Sequence, residues 1–361
     1  MPLMRDPITA PVLDEGRAFL NDLRAAFDRA AEQGVHEQTV RIAGRLVRFR
    51  VVGATLFERM TAAFGHLSAP DSGEPALTVR MWDSSTTGVT PPAPPWPNDA
   101  YRERGEIRHA FGFQAAFNMM SGVLSILDGD EATLWVRDAD TLPLWETAAP
   151  LRTLLGWWVL TVGGQLAHGA AVGTELGGVL LAARGGSGKS TTALSCLDAG
   201  MHYAGDDYVV LTNEAQPSVY SLYASAKLVP ANLETRLPHL ASLAQEAGAE
   251  SPGASPFDKV VLMLHEHFAD QVVESMPLRA IVVPHIAGDG RTALSSLSAR
   301  DVLQALAPTT VFQLPGSNAG SLELLSDIVT RVPGYSLAVG INLATNVEAL
   351  ADLIAREARV G

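Results

Sequence analysis

Cysteine is nearly absent. Cys196 stands alone in 361 residues, so no disulfide can close within the chain, and a cytoplasmic setting is the plain expectation. Long apolar runs are missing as well. The longest, such as Leu154 to Val162, fall well short of the ~18 residues of a membrane-spanning helix. Met1 to Asp22 carries acids and prolines and no apolar signal core. Charge is sparse at 18%, and basic charge sparser: 26 Lys and Arg face 39 Asp and Glu, a formal net charge of −13. That balance argues against a nucleic-acid binder and leaves room for a basic peptide partner. The apolar fraction of 47% supplies a core for one large domain or two of ordinary size.

The N-terminal part reads as an Ala-rich amphipathic helix over Phe19 to Gln33, within an appendage spanning 1–38, and then an α+β unit over 39–149. Alternation of Val40, Ile42, Leu46, Val47, Phe49 and Val51 predicts a hairpin turning near Ala43-Gly44. A helix is expected over Thr55 to Leu67, and strands over Leu77 to Met81, Val123 to Leu127 and Ala132 to Val136. The run Pro91 to Pro97 cannot be regular structure and reads as a surface loop, with a proline-rich ligand as the rarer alternative. Pro150 opens a third region, 150–361, beginning with an apolar helix over Leu151 to Gln165. Its Trp157 and Trp158 read as core, the alternative being a platform for adenine. Core strands follow at Val209 to Leu211, Val260 to Leu264 and Ala280 to Val283, and Gln245 to Pro256 has the composition of a loop over a site.

The densest signal lies at 183–192, Ala-Arg-Gly-Gly-Ser-Gly-Lys-Ser-Thr-Thr. A strand-like run, Gly177 to Ala182, precedes it, and a helix over Thr191 to Ala199, closed by Gly200, follows. Strand, glycine loop and helix are the context of a phosphate-binding loop. Glycines let successive backbone N–H groups converge on phosphate oxygens, and the helix adds its positive N-terminal end. On this reading Gly185, Gly186, Ser187, Gly188, Lys189, Ser190 and Thr191 bind a nucleotide. Lys189 places a point charge on the β- and γ-phosphates, and the Ser190 hydroxyl binds Mg2+. One position departs from the motif: Ala183 stands where glycine is usual, which requires that φ stay negative there.

Asp206-Asp207 stands after one helix, at the entry to the strand-like Tyr208 to Leu211. Phosphoryl transfer needs Mg2+, a cationic clamp and a carboxylate that positions the attacking hydroxyl. Two adjacent carboxylates divide naturally into a metal-facing member and a base; the bland alternative is a solvated turn. His168 by itself reads as a core histidine. His265-Glu266-His267 lacks the spacing of a zinc site and reads as a loop or strand end. Lys227, Lys259 and Arg279 are single cations that could touch phosphate or substrate, but each alone reads as a surface charge.

His168-Gly169, the loop Gly185 to Ser190, the following helix with Ala193-Leu194, and Asp206-Asp207 together resemble the catalytic core of HPr kinase/phosphorylase. They resemble most the related serine kinases of modified-peptide and lasso-peptide clusters. The resemblance covers roughly 165–211, with further similarity at Ser221 to Leu228, Pro277 to Pro284 and Ala307 to Gly316; the first 150 residues do not share it. It implies an α/β fold with a P-loop kinase core of the HPr kinase/phosphoenolpyruvate carboxykinase type, behind an N-terminal α+β domain. It implies ATP and Mg2+, and transfer of the γ-phosphoryl group to a serine of a peptide or protein. Asp206 would be the base with His168 against it, Asp207 would assist Ser190 at the metal, and Lys189 would act in catalysis. No nucleic-acid or membrane partner is implied, and a homo-oligomer is compatible. The alternatives are a small-molecule hydroxyl kinase of the same fold and a nucleotide-binding switch without transfer. ABC-type and GTPase readings lose ground, because neither a Leu-Ser-Gly-Gly-Gln nor an Asn-Lys-x-Asp motif is found.

Overall fold

A computed structural model describes residues 10–97, 100–101, 105–107, 111–245, 259–311, 313–314, 316 and 319–359. The chain is mixed α/β. Its first part forms a six-stranded sheet from β1 (His36–Ile42), β2 (Arg45–Val51), β3 (Leu77–Asp83), β4 (Gln114–Asn118), β5 (Val123–Asp128) and β6 (Glu131–Val136). The spatial order is β1-β2-β3-β6-β5-β4, with parallel pairing only at β2–β3 and β3–β6. Ala43 and Gly44 turn the first hairpin with φ of 48° and 73°, the two positive values that a two-residue turn needs to match strand twist.

Helix α1 (Ala10–Ala31) is not an appendage. Its apolar stripe Phe19, Leu23, Phe27 and Ala30 is buried against Trp82, Phe113 and Ile126, because a stripe of that width must be covered. Trp96 is in the same cluster, with its ring 5.2 Å from Phe19. It pins the proline-rich segment, as a loop, against α1 and Phe113. The other face of the sheet packs on α2 (Ala54–Thr61), which tightens into a 3-10 turn over Ala62–Leu67 rather than running on as one helix. Two short helices, α3 (Ser84–Thr87) and α4 (Leu144–Ala148), complete this part.

Helix α5 (Arg152–Thr161) is shorter than the sequence suggested, because Gly163 at φ 83° reverses the chain and Gly164 begins a strand. Trp157 and Trp158 on α5 are buried in a core that runs continuously from the six-stranded sheet to Leu166, Val210 and Tyr223. Both rings are packing groups.

The second sheet has nine strands: β7 (Gly164–His168), β8 (Ala170–Thr174), β9 (Gly177–Leu181), β10 (His202–Gly205), β11 (Tyr208–Thr212), β12 (Ser218–Tyr220), β16 (Ser275–Ile286), β17 (Ala293–Leu297) and β18 (Gly334–Val339). A small three-stranded sheet is made of β13 (Ser225–Leu228), β14 (Ala244–Gln245) and β15 (Val260–Met263). Helices α6 (Lys189–Asp198) and α10 (Leu343–Glu357) cover one face of the large sheet, while α8 (Ala299–Thr310) and α9 (Ala319–Arg331) cover the other. Helix α7 (Pro230–Arg236) packs beside the small sheet. Strand β9 shows the alternation that two covered faces demand: Val179 and Leu181 point to α6, and Leu180 to α8.

The order β10-β8-β9-β16, with β18 beyond β16, sets up the site. Strand β8 runs antiparallel to both β10 and β9, and β9, β16 and β18 are mutually parallel. The carboxyl ends of β10, β9, β16 and β18 therefore share one end of the sheet, where open α/β sheets bind ligands. Of the expected loop Gln245 to Pro256, all but Gln245 lies outside the described residues. Among the described residues, no helix is long and apolar enough to cross a membrane.

Candidate functional site

The glycine loop leaves the carboxyl end of β9 and delivers the chain into α6. Gly186 and Gly188 take φ of 81° and 93°, values that a side chain would resist. A Cβ at Gly185 or Gly186 would meet nothing within 4 Å, so the loop's backbone borders open space on that side. Ala183 does not adopt a positive φ, so the departure from the motif costs no strain. Gly188 is the N-cap of α6, and no side chain caps that end. The buried Ser187 hydroxyl likewise has no partner. The Lys189 ammonium donates to the carbonyls of Ala183 and Arg184. Burial lowers its pKa, against the pull of Asp206 and Asp207.

Two strand crossings stand beside this loop. The chain passes from β7 to β8 at His168-Gly169 and from β10 to β11 at Asp206-Asp207. Register pairs Tyr208 with His168, and the Gly169 N–H donates to the Asp207 carbonyl at 3.1 Å. Asp207 has φ 68°, and the Tyr208 N–H closes a three-residue turn on the Asp206 carbonyl at 2.9 Å. Such turns are rare and strained, and strain of this kind gathers at functional sites.

That turn sends the two carboxylates to different partners. Asp206, 2% exposed, accepts from the Ser190 hydroxyl at 3.1 Å and from the Lys227 N–H at 3.3 Å. Asp207 faces the Lys227 ammonium at 3.2 Å and His168 Nε2 at 3.7 Å, the latter too long for a hydrogen bond. The expected pairings are thereby exchanged. His168 lies against Asp207 rather than Asp206, and Ser190 lies against Asp206 rather than Asp207. The tight turn aims the neighbouring side chains apart, Asp206 toward Ser190 on α6 and Asp207 toward His168 on β7, and Lys227 of β13 reaches both, through its N–H and its ammonium.

The two carboxyls titrate in opposite directions. Burial, then the charge of Asp207, pushes Asp206 up. Burial alone would raise Asp207 too, but the His168 imidazole and the Lys227 ammonium outweigh it and hold Asp207 well below the usual carboxylate range. The stability that Asp207 contributes is thus complete above ~3.9, its unfolded value, and is lost as pH falls through the lower folded value. For Asp206 the sign reverses: its contribution is largest below ~3.9 and declines as pH rises through the raised folded value. We expect Asp207→Asn to cost about 2 kcal/mol at neutral pH. That is less than the ~3–5 kcal/mol of a fully buried broken pair, because the Lys227 and Asp207 side chains keep 14% and 16% of their surface exposed. Asp206→Asn should be neutral or stabilising. Urea midpoints at neutral pH, and again between about pH 4 and pH 2 where the Asp207 difference should shrink, measure both. Equal losses for the two variants at neutral pH would contradict this division.

Lys227 is therefore no surface charge. Its signal in the sequence was a single cation in the mostly apolar run Leu222 to Leu228. Lys259 is exposed, yet its charge bears on Lys189, Asp206 and Asp207. Arg279 donates to the Leu176 carbonyl, away from the site. The half-buried Arg152 and Tyr208 were not anticipated: an Arg152 N–H donates to the Tyr208 hydroxyl at 2.9 Å, with the guanidinium 5.3 Å from the ring centre. Nothing in the local sequence of α5 distinguishes Arg152 from an ordinary helix-start arginine. No group of three or more His, Cys, Asp or Glu side chains suited to a metal forms among the described residues, His265 to His267 included.

No protein-family model matches the sequence, and no curated protein does. Among solved structures, the Hpr(Ser) kinase/phosphatase from Coxiella burnetii is similar over 54% of this chain and 97% of that chain, with 12% identity and a TM-score of 0.31. A likeness that slight carries no weight for the chemistry, which rests on the residues of the site.

Proposed function

We propose that the protein is an ATP-dependent kinase of the HPr kinase type that phosphorylates a serine hydroxyl on a peptide or protein. The observation that carries this reading is the meeting of the loop with the acid pair: Ser190, one residue past Lys189, lies 3.1 Å from Asp206. A glycine turn without a ligand has no need of a buried carboxylate there, still less of a second one in a strained turn beside it.

The open loop backbone, the uncapped start of α6 and the unpartnered Ser187 hydroxyl fit a polyphosphate. Ser190 and Asp206 would hold Mg2+; they are hard oxygen donors, and this ion is usually held by one or two protein oxygens with the rest from water and phosphate. Bound there, the ion would neutralise charge on the β- and γ-phosphates. The raised pKa of Asp206 suits a carboxylate that awaits a cation. Lys189, exchanging its carbonyl partners for phosphate oxygens, clamps the transferring group.

Asp207, more accessible than Asp206, faces the acceptor. The serine oxygen forms a bond to the γ-phosphorus as the bond to the β,γ-bridging oxygen breaks, and ADP departs with that electron pair. The hydroxyl proton passes to Asp207. In a loose transition state this proton is lost late, so a carboxylate of low pKa serves mainly to position the hydroxyl. Lys227 and His168 hold Asp207 for this task.

The test is incubation of the full chain with Mg2+ and ATP labelled on the γ-phosphate, with basic seryl peptides and simple alcohols as acceptors. Label should appear on serine and depend on Mg2+. Failure to bind ATP would overturn the reading, and label on alcohols alone would transfer it to a metabolite kinase.

A further inference from the structure

Along the ligand-binding end of the large sheet, the functional groups form a row. Asp206 and Asp207 follow β10, His168-Gly169 precedes β8, and the glycine loop follows β9. Beyond the loop come the last residue of β16, Ile286, and the residue two past β18, Ile341. Ile286 is 61% exposed and Ile341 75% exposed, among the few large apolar side chains left so open. Ile286 stands against the loop, and Ile341 is held just past the neighbouring strand end. A Cβ on Gly188 would lie 3.3 Å from the Ile286 Cδ1 and 3.7 Å from Val339. The Ile341 N–H donates to the Gly290 carbonyl at 3.0 Å, and its side chain lies against Gly290. The Ala287 N–H donates to the Val339 carbonyl at 3.2 Å, tying the two strand ends together.

An isolated exposed isoleucine means nothing. Ile286 at a strand end beside the loop, with Ile341 just past the end of the neighbouring parallel strand, is another matter. The polyphosphate has a direction: its γ-end must face Asp207, on the β10 side of the loop. Its α-end, and the nucleoside beyond, must then leave toward β16 and β18, where these isoleucines stand.

We propose that Ile286 and Ile341 form an apolar shelf for the base of the nucleotide whose phosphates the Gly185–Ser190 loop holds. This rests on the phosphate-loop reading and adds the residues that grip the nucleoside. The shelf supplies affinity through covered apolar surface. About 50 Å2 covered corresponds to roughly tenfold in affinity.

The experiment is calorimetric titration of the full chain with Mg2+-ATP and, separately, Mg2+-tripolyphosphate, which has the phosphates without a nucleoside. Wild type should bind ATP at least tenfold more tightly than tripolyphosphate. Ile286→Ser combined with Ile341→Ser should weaken ATP by about tenfold while leaving tripolyphosphate unchanged, the second measurement also reporting an intact loop and fold. ATP affinity unchanged in the double variant, or equal to that of tripolyphosphate in wild type, overturns the shelf. Binding of neither ligand to wild type overturns the phosphate-loop reading itself.

Discussion

If the chain is the kinase proposed above, Lys189→Met should lower phosphoryl transfer by about 10^2–10^3-fold, the usual consequence of removing one preorganised electrostatic contact to a reacting group. The lysine is 7% exposed and bonded only to carbonyls of the loop, Ala183 and Arg184. Those partners hold the ammonium where a polyphosphate would lie without neutralising it, so the charge is available on arrival of the ligand. Burial has already lowered its pKa, which makes it an expensive group to keep for structure alone. Methionine preserves the length and the packing of the stem, so thermal stability should fall little or rise. Initial rates at saturating Mg2+-ATP, together with the melting temperature, decide the matter. A variant within threefold of wild type in rate would remove Lys189 from the mechanism. Arginine should not rescue it, since a planar guanidinium fork does not reproduce the compact point charge of the ammonium.

Asp207→Asn should reduce transfer by about 10^2–10^4-fold with nucleotide affinity preserved. The amide is nearly isosteric but can neither accept the hydroxyl proton nor hold the Lys227 ammonium by charge. Asp206→Asn should behave differently: the Mg2+ dependence of ATP binding weakens, because the lost oxygen faces Ser190. Titrations of ATP at several Mg2+ concentrations, paired with single-turnover rates, separate the two roles. If Asp206→Asn kept the metal dependence of ATP binding but lost transfer, while Asp207→Asn lost metal dependence, the assignments would be exchanged. The opposite stability effects expected of the two variants at neutral pH provide an independent check. A protein that is stabilised by losing Asp206 retains that carboxylate for a reason other than folding.

Much of the local architecture was legible in the chain. The hairpin at Ala43-Gly44, the strand-loop-helix around Lys189 and the buried strands 209–211 and 280–283 follow from short-range pattern and turn chemistry, which act within a few residues. Helix ends were less legible. The expected helix to Gln165 stops at Thr161, because an apolar run is compatible with either helix or strand, and only the glycines Gly163 and Gly164 mark the change. Helix α1 looked peripheral because its partners, Trp82 and Phe113, lie 50 or more residues away in sequence.

For the site, the sequence by itself determined the inventory: a glycine loop ending in Gly188-Lys189-Ser190, two adjacent carboxylates, a histidine, and an alanine at 183 that needs only an ordinary φ. The tertiary structure decided the wiring. The order β10-β8-β9 brings the acids to the loop, Ser190 meets Asp206, and Lys227 arrives from a separate sheet to join His168 on Asp207. The reason is geometric. Neighbouring residues in a turn at φ 68° face different directions, and what each one meets depends on strands and helices remote in the chain, whose packing no local pattern encodes.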